Sequence, residues 1–317
     1  MVKYIIKRVL LLIPAVLLVC ITVFLLMRLI PGSAVDAIVY KYSSIGVEVD
    51  EDAVRAQLGL DKPAAIQFFV WFKDVIQGNL GDSLFQNKSV HSILAAELPV
   101  TFELGIITII LSTVISIPLG LLCAARQDSG LDIILRVIAI IFLSIPVFWI
   151  ATMVLVYPAA WWGYAPPADY VGFLENPWKN LQMFLIPALL SALGQVGMQM
   201  RLVRTQTLEV MRQDYVRTAW SKGLNERTVL FGYAFRNSMI PTITMIGGSV
   251  SSLIGGSVIM ENLFNIPGIG KEVVAALSSR DYPLVQGCVI IFAIYVMVIN
   301  LVVDICYKWA DPRVSLE

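Results

Sequence analysis

The chain has 317 residues, 58% of them hydrophobic and only 15% charged, with a mean hydropathy of +0.78. Soluble domains carry about a quarter charged residues, so this composition excludes an ordinary soluble enzyme and points to an integral membrane protein. The formal net charge is zero, which gives no reason to expect a nucleic-acid partner.

About 20 apolar residues are needed to cross the hydrocarbon core of a bilayer. Six stretches qualify: 9–30, 100–125, 133–157, 183–202, 238–260 and 284–307. The first follows Lys3, Lys7 and Arg8, as a signal peptide would. Its apolar run exceeds the roughly 7–15 residues of a cleaved leader and lacks a small-x-small cleavage site, so it reads as a retained span. The tail before it has three cations and no acid, which places the N-terminus on the cytoplasmic side. An even number of spans then returns the C-terminus to the same side.

On this reading residues 31–99 lie outside the cytoplasm. The loop has an acidic run (Glu48, Asp50, Glu51, Asp52) and amphipathic stretches at 53–60 and 64–76, the second containing Phe68, Phe69, Trp71 and Phe72. It is expected to form a small cap of short helices, too small for an enzyme domain of its own. Pro14, Pro118, Pro146 and Pro187 fall inside spans, and each is expected to bend its helix. They fit either plain packing or a path lined by bent helices. Between spans three and four, Trp161, Trp162, Tyr164, Pro166, Pro167, Asp169 and Tyr170 form an aromatic cluster of the kind that settles at a membrane interface.

Residues 214–241 read DYVRTAWSKGLNERTVLFGYAFRNSMIP, a charged, helix-prone loop between spans four and five. Its surface is polar while its roots are fixed in the bilayer, which suits docking of a cytoplasmic partner. Span five concentrates small residues: Gly247, Gly248, Gly255 and Gly256 with Ser249, Ser251, Ser252 and Ser257. They allow close helix packing, and hydroxyls among them can line a wet cavity. Ser249, Ser252, Gly255 and Gly256 are the candidates for a pathway or gate. After it, Pro267-Gly268-Ile269-Gly270 is expected to form a tight turn through glycine at positive φ. Lys271 does not make this a phosphate loop, because GxxxxGK[ST] needs a glycine near Asn265 and a hydroxyl at Glu272.

Catalytic and metal-binding chemistry finds little support. Cys20, Cys123, Cys288 and Cys306 share no ligand spacing and sit in or beside apolar spans. His91 is the single histidine, it lies outside the spans, and no His-Glu-x-x-His motif occurs, which argues against an intramembrane protease. Glu103 and Asp304 are the ionisable residues nearest the span interiors, and both lie near span ends. Ion-coupled carriers place such groups at the midplane, so an external energy source is the better expectation than a secondary transporter.

The chain resembles the permease subunits of dipeptide, oligopeptide and nickel ABC importers. The resemblance runs nearly end to end. It rests on Leu58-Gly59-Leu60-Asp61-Lys62-Pro63, Gly78-Asn79-Leu80-Gly81-Asp82-Ser83, Leu98-Pro99-Val100-Thr101 and Ser144-Ile145-Pro146-Val147-Phe148-Trp149. It continues through the 214–241 loop, Phe264 to Gly270, Asp281-Tyr282-Pro283 and Asp311-Pro312-Arg313. Each motif is weak alone; their order and spacing are specific.

The resemblance implies an all-α polytopic fold of the type I importer permease, with six transmembrane helices and both termini inside. It implies a tail and first helix at 1–30, an extracytoplasmic loop at 31–99, and a five-helix core at 100–317 with a cytoplasmic coupling loop at 203–237. The partners implied are a second homologous permease, two cytoplasmic ATPase subunits and an extracytoplasmic substrate-binding protein, in the cytoplasmic membrane of a bacterium or archaeon. No cofactor is expected on this chain, which would not be an enzyme itself; ATP and magnesium belong to the ATPases. The ATPase-coupling residues are expected to be Asp214, Tyr215, Arg217, Thr218, Ala219, Lys222, Gly223, Leu224 and Arg227. Gly223 is expected at a turn where a side chain would obstruct the bend. Trp220 departs from the family, where a small or basic residue is commoner. Peptides are the expected cargo, with nickel or a metal chelate as the alternative, and the aromatic cluster at 161–170 is a candidate guide for peptide side chains.

Overall fold

The computed structural model describes residues 2–29, 32–167, 169–251 and 253–310. Helices dominate it. The first are α1 (Val2–Leu29), α2 (Ala34–Ser43), α3 (Glu51–Gln57), α4 (Ala64–Ile76) and the long α5 (Val90–Ala125). Then come α6 (Gly130–Ser144), α7 (Val147–Trp162), α8 (Pro177–Met211), α9 (Asp214–Ser221) and α10 (Glu226–Thr228). A π-helical segment, Val229–Phe235, leads into α11 (Arg236–Ser251), followed by α12 (Leu253–Leu263), α13 (Ile269–Ser279) and α14 (Tyr282–Ala310). Among the described residues the only β pairing is an isolated bridge between Asp82 and Ser89.

Four of these helices are long and apolar enough to cross a bilayer: α1 over Leu10–Leu29, α5, α8, and α14 over Tyr282–Val303. A fifth crossing arises if α6 and α7 count together, but they meet at 91°. The third span expected at 133–157, with its bend at Pro146, is two helices with a corner. Pro146 has no N–H to continue α6, and it holds Ile145 extended at φ −87°, ψ 126°. Pro14 and Pro187 sit inside unbroken helices, as does Pro118 within α5, so of the four prolines only Pro146 coincides with a break. The fifth expected span, 238–260, is helical throughout its described residues, in α11 and α12 on either side of position 252, which lies outside them. The Asp311-Pro312-Arg313 motif lies outside the described residues.

The chain divides into two units. One comprises the described residues of 2–100 and 267–301. Its core gathers Val23 and Met27 of α1, Val90, Ile93 and Leu94 of α5, Ile269 and Ala276 of α13, and Leu284, Val285 and Cys288 of α14. A second cluster, Val35, Ile38 and Val54 with Leu58, Leu60, Leu84 and Phe85, closes the short helices of the loop over one another. The loop carries three short helices, α2, α3 and α4, the first begun by a Ser33–Asp36 capping box. Here the Gly78–Ser83 and Asp281–Pro283 motifs meet: the Ser83 hydroxyl donates to the buried Asp281 carboxylate at 2.5 Å.

The Pro267–Gly270 turn differs from expectation. Gly268 is extended at φ −114° and caps α13, while the left-handed residue is Asn265 at φ 56°. Asn tolerates that region because its short amide bonds locally.

The other unit comprises the described residues of 101–266 and 302–310. Helix α8 is its axis, packed by α6, α7, α11 and α12. A Cβ placed on Gly120 of α5 would lie 2.7 Å from the Val203 Cβ and 2.8 Å from the Met200 carbonyl oxygen, so these backbones touch with no room for a side chain. Two hydrogen bonds run alongside, from Ser112 to Gln195 at 3.3 Å and from Ser116 to Gln199 at 2.8 Å. Polar contacts of this kind add to van der Waals packing where the solvent is lipid.

Candidate functional site

The end of α8 and the segment beyond it form a small, self-supporting structure. Helix α8 runs unbroken to Met211, so the first part of the expected 203–237 loop is helix. After a two-residue break α9 begins. Val216 and Ala219 are three apart, on one face, and both are buried. They close on Val229 with Val210, Met211 and Leu224 around them.

Helix α9 stops in a Schellman turn. The Gly223 N–H donates to the Trp220 carbonyl at 2.9 Å, and the Leu224 N–H donates to the Ala219 carbonyl at 3.4 Å. Gly223 takes φ +74°, the left-handed geometry this turn requires. A Cβ at this position would meet nothing within 4 Å. The expected obstruction is therefore absent: the glycine is favoured by its backbone angle, not by crowding. Asn225 then caps α10, its side-chain oxygen accepting from the Thr228 N–H at 2.8 Å.

The chain next passes through the π segment Val229–Phe235. Such segments are rare and recur at functional sites. Leu230 and Ala234 pack on Leu121 and Val203. The Ser238 hydroxyl donates to the freed Phe235 carbonyl at 3.1 Å and accepts from Thr207 at 3.2 Å, which ties α11 to α8.

The predicted coupling residues sort by burial. Asp214, Tyr215, Arg217, Thr218, Lys222, Gly223 and Arg227 are exposed. Asp214 and Arg217 pair with each other at 3.4 Å on the outer face. Ala219 is buried and Leu224 half-buried, so these two form the underside rather than the presented surface. Trp220, the departure from the family pattern, is exposed beside them.

A buried ionic cluster, missed in the sequence, anchors the base. Asp132, at the start of α6, has no exposed surface. It accepts from Arg204 Nε and Nη2 on α8, each at 2.8 Å, and from the Asp128 backbone N–H at 3.0 Å. Arg136 Nε stands 3.3 Å away. The sequence signal for the cluster is Asp132, an acid at the edge of an apolar run.

The candidate pathway residues stand apart from this segment. Ser249, half-buried on α11, donates to the Met245 carbonyl of its own helix at 3.1 Å. Gly255 of α12 is exposed with open space beside it. Ser252 lies outside the described residues, as do the side-chain surroundings of position 256. In the aromatic cluster, Trp161 and Trp162 are exposed, and the Tyr170 hydroxyl reaches Glu103 at 3.5 Å. Burial, with the Glu103 carboxylate adding to it, pushes the Tyr170 phenol above its ordinary value, which keeps it a protonated donor. No cluster of three or more potential metal ligands occurs among the described residues.

Comparison with known proteins agrees with this architecture. Residues 116–316 match the family described as binding-protein-dependent transport system inner membrane component, and residues 1–105 match the N-terminal family of the same membrane components. A protein of Brucella suis biovar 1 (strain 1330), carrying the name of a peptide transport system permease, is 38% identical over the full length of both chains. The dipeptide transport system permease protein DppB of Alkalihalophilus pseudofirmus is 32% identical, covering 99% of this chain and 100% of its own.

Among solved structures, a chain from the crystal structure of an amino acid ABC transporter with histidines superposes with a TM-score of 0.52 at 9% identity. It covers 69% of this chain and 94% of that one, a likeness of fold alone. The sequence match extends over both the short-helix loop and the α8-centred unit, and the chain belongs to the family of inner-membrane components of binding-protein-dependent transport systems.

Proposed function

We propose that the chain is one permease of an ATP-driven importer whose cargo is di- or oligopeptides. The observation that carries the coupling role is the hairpin of α9 and α10. It offers an exposed polar face (Asp214, Tyr215, Arg217, Thr218, Lys222, Arg227) over a buried apolar base continuous with α8 and α11. A pair of cytoplasmic ATPases, which carry ATP and magnesium, grips this face. A second, homologous permease completes the pathway, and an extracytoplasmic binding protein delivers the substrate. Both termini face the cytoplasm, six crossings being completed by α6–α7 and α11–α12. The membrane is the inner membrane of a bacterium or archaeon.

The mechanism is alternating access between two states. ATP closure of the ATPase pair shifts the permeases from inward-open to outward-open, because the closed pair binds one permease state more tightly than the other. Ser249, Ser252, Gly255 and Gly256 are the proposed wall of the pathway. Peptide cargo is supported by the names of the relatives above, which refer to peptide and dipeptide transport.

The test is uptake in a strain lacking the gene, with re-expression as control, using a labelled dipeptide, a labelled longer peptide and radioactive nickel. Loss of peptide uptake supports the reading and sets the size class. Loss of nickel uptake alone moves the protein to a metal-chelate importer.

A further inference from the structure

The α1–α4–α14 region holds a recess that the transport mechanism does not use. It is a cavity of about 160 Å³ lined by Phe24, Arg28, Gln67, Trp71, Tyr282 and Gln286 among others. A water needs only about 10–15 Å³ of such space.

Arg28 is its single cation. Nη1 donates to the Phe24 carbonyl at 3.2 Å, and Nη2 donates to the Gln67 side-chain oxygen. The guanidinium carbon lies 3.6 Å from the centre of the Phe24 ring. Among the described residues no carboxylate pairs with it. Both acceptors are uncharged, and the guanidinium has more N–H groups than these two contacts use. A half-buried Arg in this condition is an anion receptor with its charge uncompensated.

Its place in the fold identifies the anion. Arg28 ends the apolar span Leu10–Leu29, at the level where chain meets headgroups. Leu25, Leu26 and Leu29 on the same helix are exposed. Helix α4, which supplies Gln67 and Trp71, has no buried residue, and it exposes Ile66, Phe69 and Val70. An amphipathic helix with an exposed apolar face lies in the bilayer interface, where Trp and Tyr also settle. A guanidinium beside exposed leucines of α1 and the exposed Phe69 of α4 matches a phosphodiester whose acyl chains run down that apolar surface.

We propose that this recess binds the phosphate of an anionic phospholipid headgroup, with Arg28 as its anchor and Gln67 orienting the guanidinium. The site does not depend on which end of α1 faces the cytoplasm, nor on the transported substrate.

The test is native mass spectrometry of the full chain released from micelles doped with phosphatidylglycerol or phosphatidylcholine of identical acyl chains. The wild type should retain phosphatidylglycerol several-fold over phosphatidylcholine, and Arg28→Gln should abolish that preference while Arg28→Lys keeps part of it. Equal retention of the two lipids by the wild type overturns the proposal and needs no variant. Displacement of the lipid by millimolar inorganic phosphate overturns the lipid assignment in favour of a free-anion site. Displacement by a dipeptide at the same concentration overturns it in favour of a peptide carboxylate.

Discussion

Arg204 forks onto Asp132 across 72 residues of sequence, its Nε and Nη2 each 2.8 Å from a different carboxylate oxygen. The pair fixes the start of α6 to the C-terminal third of α8, about two turns before that helix ends at Met211. Removing one partner leaves a largely buried charge with only a weaker, more exposed neighbour (Asp128 at 4.0 Å for Arg204, Arg136 at 3.3 Å for Asp132), and breaking comparable buried pairs costs about 3–5 kcal/mol. Asp132→Ala should therefore lower the thermal unfolding midpoint in detergent sharply. The double variant Asp132→Leu/Arg204→Met should recover most of the loss, because neither charge remains to be solvated. A double variant no better than the single one would show that the pair does not act as a unit.

In the other unit, Ser83 and Asp281 join two motifs that lie 198 residues apart. The Ser83 oxygen also accepts from the Gln86 N–H at 3.0 Å, and Asp281 accepts from the Leu284 N–H at 3.3 Å. Ser83→Ala removes a bond to a buried carboxylate, at a cost of about 1–3 kcal/mol. Limited proteolysis should then cut the 31–99 loop faster, while the ATPase binding proposed for the 214–230 segment should be unchanged.

Two glycines should respond to substitution for opposite reasons. At Gly223 the space is open but φ is +74°. Asn should be tolerated best, Ala should cost about 1 kcal/mol, and Val should be worst, with side-chain length unimportant. The readout is transport per ATP hydrolysed by the reconstituted complex. A loss that tracks side-chain volume instead would restore the steric explanation. At Gly120 the backbone is ordinary helix and the space is closed, so Ala alone should overpack the α5–α8 contact by about 1–3 kcal/mol, seen as a lower unfolding midpoint.

Topology can be read by thiol labelling. Cys20, Cys123 and Cys288 are buried and contribute little background once Cys306 is replaced. A cysteine at the exposed position Ser43 should react with a membrane-impermeant maleimide in intact cells, whereas one at Asn225 should react only after permeabilisation. The reverse pattern would invert the proposed orientation.

Much of this protein is legible in its residues. Long apolar runs dictate membrane helices because a backbone in lipid must satisfy its own hydrogen bonds, and α1, α5, α8 and α14 lie where those runs predict. The 3.6-residue spacing of apolar side chains located α3 and α4, and the break after Ser221 follows from Gly223, the residue best suited to its left-handed turn.

What the sequence did not determine depends on partners distant in the chain. The 91° corner at Pro146 is set by how α6 and α7 each pack, since Pro14, Pro118 and Pro187 carry the same local chemistry without breaking their helices. Asp132 looks like one more charge at a span edge until α8 brings Arg204 to it. Ala219 looks like a contact residue until Val229 folds back and buries it. Local pattern decides which segments become helices; tertiary packing decides which of their polar groups are paired, buried or left free to meet a partner.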